Sequence, residues 1–352
     1  MFVYFGTYTQ KDRPQGIYPG RFNPETGVLR VSEGVEAGKN PSFLAIHPEG
    51  RTLYSVTEAG KQDGLTAFAI DPDTGHLKKI NSQVADGSGA CHVGLNPSGT
   101  AAIVSYYGSG SIASFPLNPE GRVGPAASVI AFEGSGPDPK RQARPHAHSA
   151  NVDPAGRLAV VADLGTDRLW LYRVDAETAE LTPHDPEAVA LHPGAGPRHF
   201  AFHPTEPWAY VINELDATLT ALRWNIGPET FTSLQTVDTL PDDWEGRRST
   251  AEVVVHPSGR FVYGSNRGHD SIVAFAIDPE SGELSRIGFT PSGGQEPRNF
   301  NIDPTGRWML VCNQNTDDVQ VFRIDPAEGA LEPVGEPVRV PAPVCVKFLR
   351  QE

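Results

Sequence analysis

The chain has only three cysteines, Cys91, Cys312 and Cys345, an odd number without CxxC spacing. That argues against a disulfide framework and a zinc knuckle, and a reducing cytoplasm is the expected location. Long apolar runs are missing too. The longest are about five to seven residues, against the roughly 20 that a membrane-crossing helix needs, so no membrane association is expected. The opening MFVYFGTYT has no basic stretch ahead of its apolar residues and no small-residue cleavage pattern, so no signal peptide is expected. Basic charge is scarce: 29 Lys and Arg face 43 Asp and Glu, a net charge of −14. A duplex-binding surface needs a basic field, which argues against nucleic acid as a partner. An anionic small molecule would instead need a local cluster of Arg or Lys. No GxSxG elbow, Walker loop or HExxH is present, and the carboxylates form no repeated ring. Neither metal nor cofactor is expected.

Turn residues are abundant instead, with 36 Gly and 32 Pro. One phrase recurs: an apolar strand, His/Asp/Asn-Pro, a small turn and a second apolar strand. It reads FLAIHPEGRTLYSV, VGLNPSGTAAIVS, ANVDPAGRLAVVA, FAFHPTEPWAYVI, VVVHPSGRFVYGS and FNIDPTGRWMLVC. The residue before proline is His47, Asn96, Asp153, His203, His256 or Asp303, at steps of 47 to 57 residues. A third strand follows, then a second turn phrase such as DPDTGHL, DPESGEL or DPAEGAL, then a weaker fourth strand. Alternating apolar residues and no sustained 3.6-residue period predict an all-β chain. Four strands per roughly 50 residues is the period of a propeller blade. The N-terminus supplies strands two to four of one unit and the C-terminal APVCVKFL supplies its first. The expectation is a single seven-bladed β-propeller domain over residues 1–352, its split blade drawn from 1–35 and 341–352 and closed by pairing of the terminal strands.

The repeat also serves as a ruler. Five residues before the anchor stand Ser42, Cys91, His148, Arg198, Ala251 and Arg298, with Val344 from the last strand; eleven after stand Glu58, Tyr107, Leu164, Glu214, Arg267 and Gln314. The two strands are antiparallel neighbours, so both sets belong to one end, opposite the xP turns. Architectural positions should repeat, whereas these vary and collect His, Arg and Glu. Two long connections, EGSGPDPKRQARPHAH and PDDWEGRRST, add Lys140, Arg141, Arg144, Arg247 and Arg248. Such a basic cluster suits an anionic ligand. Any one Arg could equally pair with a carboxylate for structure alone. Cys91 reads as a small filler, and His47, His203 and His256 as turn chemistry rather than a metal site. His92 and His199 turn into packing, although His199 could reach the rim.

The whole chain resembles the seven-bladed lactonase family that includes propeller-type 6-phosphogluconolactonases and fungal carboxymuconate lactonizing enzymes. The resemblance rests on PHAHS, GPRHF, NEL, NRGHDSI and EPRNF, spread over four consecutive repeats. It implies a catalytic set of His148, Arg198, Glu214 and Arg267, with Arg298, Arg144, Asn213, Asn266 and His199 as substrate contacts. The implied reaction is hydrolysis of 6-phospho-D-glucono-1,5-lactone to 6-phosphogluconate, a step of the pentose phosphate pathway, by a monomer. Either Arg198 or Arg267 would stabilise the oxyanion, and the other would hold the phosphate with Arg298. Glu214, ahead of His148, is expected to take the proton of the attacking water. The alternatives are another lactone, such as a carboxymuconolactone, a lactonizing cycloisomerase, or a non-catalytic propeller scaffold.

Overall fold

A computed structural model describes residues 1–9, 15–60 and 63–349. It contains seven four-stranded antiparallel sheets, and no helix occurs among the described residues. Six sheets are continuous in sequence, spanning 44–84, 90–131, 147–190, 197–238, 250–291 and 297–339. The seventh orders its strands Pro343–Phe348, Phe2–Thr7, Ile17–Phe22 and Leu29–Val31. The last strand therefore stands first in the sheet that the N-terminus begins, as the repeat arithmetic anticipates. Leu349 N–H donates to the Phe2 carbonyl at 3.0 Å, and Phe22 packs edge-on against Phe348 at 5.7 Å. Residues 350–352 of the expected split unit lie outside the described residues.

The described residues fall into two compact units. One comprises Met1–Phe5, Gly20–Ser32 and the chain from Arg198 onward; the other comprises Gly6–Pro19 and Glu33–Pro197. In the first, Trp208, Tyr210, Ile212, Val253, Val273 and Phe275 form one apolar cluster shared by adjoining sheets. Tyr263, Phe300, Met309 and Phe322 form the next. In the second unit Ile103, Ile112, Ala150, Val161 and Tyr172 play the same part. Fourth strands such as Leu331–Arg339 are mostly exposed, which explains their weaker pattern.

The turn phrase has two local chemistries. In HP turns the ring nitrogen Nε2 donates to the glycine carbonyl of the next turn: His47 to Gly99 at 3.1 Å, His203 to Gly259 at 2.8 Å and His256 to Gly306 at 2.7 Å. Backbone N–H groups of Glu49, Thr205 and Ser258 donate to the opposite nitrogens, fixing the ring orientation. Where Asn or Asp replaces His, the side chain caps its own hairpin. Asp153 accepts the Leu158 N–H at 2.7 Å, Asp303 that of Trp308 at 2.9 Å and Asn96 that of Ala101 at 2.9 Å. These histidines are architectural struts.

Candidate active site

The first strands carry a shared irregularity. Ala147 pairs with Asp163 and Ser149 with Ala162, which leaves His148 as an extra residue in a bulge. The same shift isolates Cys91 between Ala90 and His92, and Arg298 between Pro297 and Asn299. In the strand Thr250–Val255 it falls across Ala251 and Glu252. The ruler's first variable position is therefore the bulge position, where a strand re-aims one side chain out of its alternation.

In the unit from Arg198 onward the two predicted arginines and the glutamate meet. Arg198 Nε donates to Glu214 Oε2 at 2.9 Å and its Nη1 to the Ala251 carbonyl at 2.6 Å. Arg267 Nη2 lies 2.9 Å from the same Glu214 oxygen, 2.8 Å from the Thr250 carbonyl and 2.9 Å from Ser249 Oγ. Arg198 is 2 % exposed and Arg267 5 %, so each guanidinium is fixed within the protein. Burial, then the charges of Arg267 and Arg298, pull Arg198 down to about 10, against the opposing pull of Glu214 and Glu252. Arg267 is lowered too, chiefly by burial, with Glu214 opposing and Arg298 adding to it. Both remain cationic at neutral pH. Half-buried Arg298 supplies a third charge close enough to be felt by both.

Several residues that the ruler passed over belong to this cluster. Glu296 lies 3.7 Å from Arg267 and accepts Arg247 on both oxygens, at 3.2 and 3.0 Å. Buried Glu252 accepts His199 Nδ1–H at 2.7 Å and the Val253 N–H at 3.0 Å, and Asn299 Nδ2 donates to its other oxygen. Asn299 in turn accepts the Val346 N–H at 2.8 Å. The available signal was the position beside the bulge, occupied by His92, Ser149, His199, Glu252 and Asn299. It is polar in five repeats, although strand alternation assigns it to packing. Five cations (Arg198, Arg247, Arg267, Arg298 and Lys347) face three carboxylates (Glu214, Glu252 and Glu296), a local positive excess within a chain of net charge −14.

Two of the expected substrate contacts also hold the backbone. Asn213 and Asn266 are fully buried, and their amides tie down hairpins: Asn213 to Thr218 Oγ1 at 2.9 Å, Asn266 to the Thr239 carbonyl at 2.6 Å. Asn313 does the same through the Ser292 carbonyl at 3.1 Å. A residue that repeats in this way is framework, and these amides hold the turns that deliver Glu214 and Arg267. Arg248 likewise clamps the Asp216 carbonyl and the Asp238 carboxylate.

In the other unit, buried His148 stands edge-on to Tyr107 at 5.6 Å, and its Nδ1 lies 3.9 Å from Cys91 Sγ. Tyr107 stacks on His146 at 4.4 Å and accepts Arg141 at 3.4 Å, while Lys140 and Arg144 are exposed. Cys91 Sγ lies 3.4–3.6 Å from the Ser105, Ala147 and His148 carbonyls. Those contacts suit the small filler the sequence suggested. Among the described residues no group of three or more His, Cys, Asp or Glu could hold a metal ion.

The family described as lactonase, 7-bladed beta-propeller matches residues 2–348. A 6-phosphogluconolactonase of Bacillus subtilis is 38% identical over 351 residues, 99% of this chain and 98% of that protein. Another, from Formosa agariphila, is 34% identical over 86% of each. The solved periplasmic gluconolactonase of Pseudomonas aeruginosa superposes with a TM-score of 0.93 at 31% identity, covering 99% of both chains.

Proposed function

The chain belongs to the lactonase family of seven-bladed β-propellers, and on that premise we propose that it hydrolyses 6-phospho-D-glucono-1,5-lactone to 6-phosphogluconate. The observation that carries this reading is the buried Arg198–Glu214–Arg267 triad beside half-buried Arg298. One carboxylate neutralises one of two fixed guanidiniums, so the group keeps a positive charge for an anion. Support for the substrate comes from the two relatives bearing that activity's name.

Hydrolysis places negative charge on the carbonyl oxygen as water attacks, and a fixed guanidinium stabilises that charge without reorganising. Arg198 and Arg267 are held by carbonyl and carboxylate acceptors and fill this role. Arg298, held less deeply, takes the phosphate. In this reading Glu214 is given a positioning role in place of the base role the sequence suggested. Its Oε2 already receives both guanidiniums, and such a carboxylate is a weak proton acceptor. Glu214 acts as the positioning residue that sets the two arginines. His148 is retained as a catalytic candidate on its bulge position and its contact with Tyr107. Arg144 is retained as a phosphate contact on its exposed connection, and cytoplasmic location on three cysteines that form no disulfide.

The test is hydrolysis of freshly generated 6-phosphogluconolactone, corrected for spontaneous opening, beside glucono-1,5-lactone and the Arg298→Ala variant. Rapid turnover of the phosphorylated lactone, with KM raised in the variant for that substrate alone, is expected. Equal turnover of both lactones, unaltered in the variant, would move the reading to an unphosphorylated substrate. A wild type no faster than buffer on either would reject it.

A further inference from the structure

Beyond the substrate contact expected of His199, neither it nor Glu252 has a role in the reaction proposed above, yet both are buried and firmly held. The geometry points to His199 as the general base of the lactone hydrolysis, oriented by Glu252 so that the lone pair stands on Nε2. This rests on the proposed reaction.

Three observations carry it. Glu214 is occupied by two arginines, and where His148, the other acceptor the sequence offered, turns Nδ1 toward Cys91 Sγ at 3.9 Å, His199 has the Glu252 carboxylate at 2.7 Å to orient its ring. Arg198 and His199 are consecutive, and both reach consecutive residues of the neighbouring first strand: Arg198 the Ala251 carbonyl at 2.6 Å, His199 the Glu252 carboxylate at 2.7 Å. The bulge at Ala251–Glu252 accommodates both contacts, and the His199 ring lies near enough to Arg198 to feel its charge. The repeat supplies the contrast. His92, at the equivalent position, accepts the Ala150 N–H on Nδ1 at 3.3 Å and packs on the Phe43 ring at 4.2 Å, in the opposite tautomer. That is what a packing histidine looks like here.

The pair is built as an orienter and a base. Glu252 is pinned by Val253 N–H and Asn299 and cannot rotate away without breaking both bonds. Its carboxyl feels a burial penalty, which His199, Lys347 and Arg198 outweigh, keeping it below the ordinary range. The charged groups facing His199 are Glu252, Arg198 and Lys347; burial first, with help from the two cations, lowers its pKa despite Glu252. The ring is therefore neutral at pH 7. As the water oxygen bonds to the carbonyl carbon, Nε2 takes one water proton, and Glu252 stabilises the imidazolium without being protonated. Collapse breaks the bond between that carbon and the ring oxygen, which receives the proton back. The hydroxy acid formed then ionises to the carboxylate.

The experiment measures kcat and KM on 6-phosphogluconolactone between about pH 5.5 and 7.5 for wild type, His199→Gln and Glu252→Gln. For His199→Gln we expect kcat to fall by about 10²-fold or more, KM to stay within roughly threefold and the acid limb of the profile to vanish. Glu252→Gln keeps a hydrogen-bond acceptor but removes the charge, so kcat should fall by about tenfold or more while the acid limb shifts. A folded His199→Gln variant that keeps the wild-type kcat and acid limb overturns the inference, while leaving the proposed reaction standing. A wild type inert on every lactone overturns the reaction itself. Should His199→Gln not fold, nitrogen NMR of the wild-type ring decides. A neutral Nδ1–H tautomer at pH 7 supports the inference, and the Nε2–H tautomer or a protonated ring overturns it.

Discussion

Glu214→Gln isolates the claim that one carboxylate holds two buried arginines. Each Arg–Glu214 contact is 2.9 Å, which at an effective dielectric of about 20 corresponds to roughly 6 kcal/mol of attraction per pair. Much of that is offset by the desolvation of three ions and the mutual repulsion of the guanidiniums. Removing one partner of such a buried group typically costs about 3–5 kcal/mol, because the charge left behind is uncompensated. With an unfolding entropy of about 2.1 cal/mol/K per residue, a chain of 352 residues should lose roughly 4–7 °C in Tm if it unfolds as one unit.

The assay is thermal unfolding at pH 7, with inorganic phosphate against chloride at matched ionic strength. In the variant an anion takes the place of the missing carboxylate, so phosphate should restore part of the loss. At ten times its Kd the recovery is about 1.4 kcal/mol. Wild type, whose arginines are already partnered, should respond less. A variant within 1 °C of wild type, with no phosphate-specific gain, would refute the account of Glu214 as the clamp of Arg198 and Arg267.

Arg267→Lys keeps the charge but loses the fork that spans Glu214, the Thr250 carbonyl and Ser249; kcat/KM should fall by about 10²-fold, read by steady-state kinetics on the lactone. His256→Asp exchanges a strut for the self-capping turn that Asp303 makes, so at pH 7 its Tm should stay within about 2 °C of wild type. The His256 pKa is lowered, chiefly by burial and against its bond to Gly306, so the folded state binds its proton more weakly than the unfolded chain does. Stability is then lost as pH falls below the ordinary 6.5, and the Asp variant should lose less Tm between pH 6.5 and 5. The expectation of a single domain predicts one cooperative transition in calorimetry; two would separate residues 6–19 and 33–197 from the rest.

The sheets were legible because their turns repeat. The His/Asp/Asn-Pro phrase marks every first hairpin of the six continuous sheets, and the side chain before proline either reaches the next turn, as His203 does, or caps its own, as Asp153 does. The rim residues were legible for the complementary reason. His148, Arg198 and Arg298 occupy a position that repeats in backbone but not in chemistry, and where the pairing register is given that position is a bulge. The ruler could not tell a side chain that faces substrate from one that holds the turn. Asn213 and Asn266 adjoin Glu214 and Arg267 in sequence yet tie hairpins, and only the recurrence of Asn313 exposes the difference.

What escaped the sequence was the residue after the bulge. Alternation sends it into packing, and Phe43 and Cys345 obey, yet His199, Glu252 and Asn299 join side chain to side chain across three successive first strands. No spacing within one repeat predicts that chain, because each link lies about 50 residues from the next along the sequence. A buried carboxylate within the apolar run AEVVV is nonetheless a local signal that something must satisfy it. Glu252 is satisfied by a histidine, an amide and a backbone N–H, whereas Glu214 is saturated by two arginines. Two glutamates in one cluster thus have opposite dispositions. One fixes cations and gives up its basicity; the other orients a buried imidazole through Nδ1. That division lets anion binding and proton transfer share a few strands without competing for the same carboxylate.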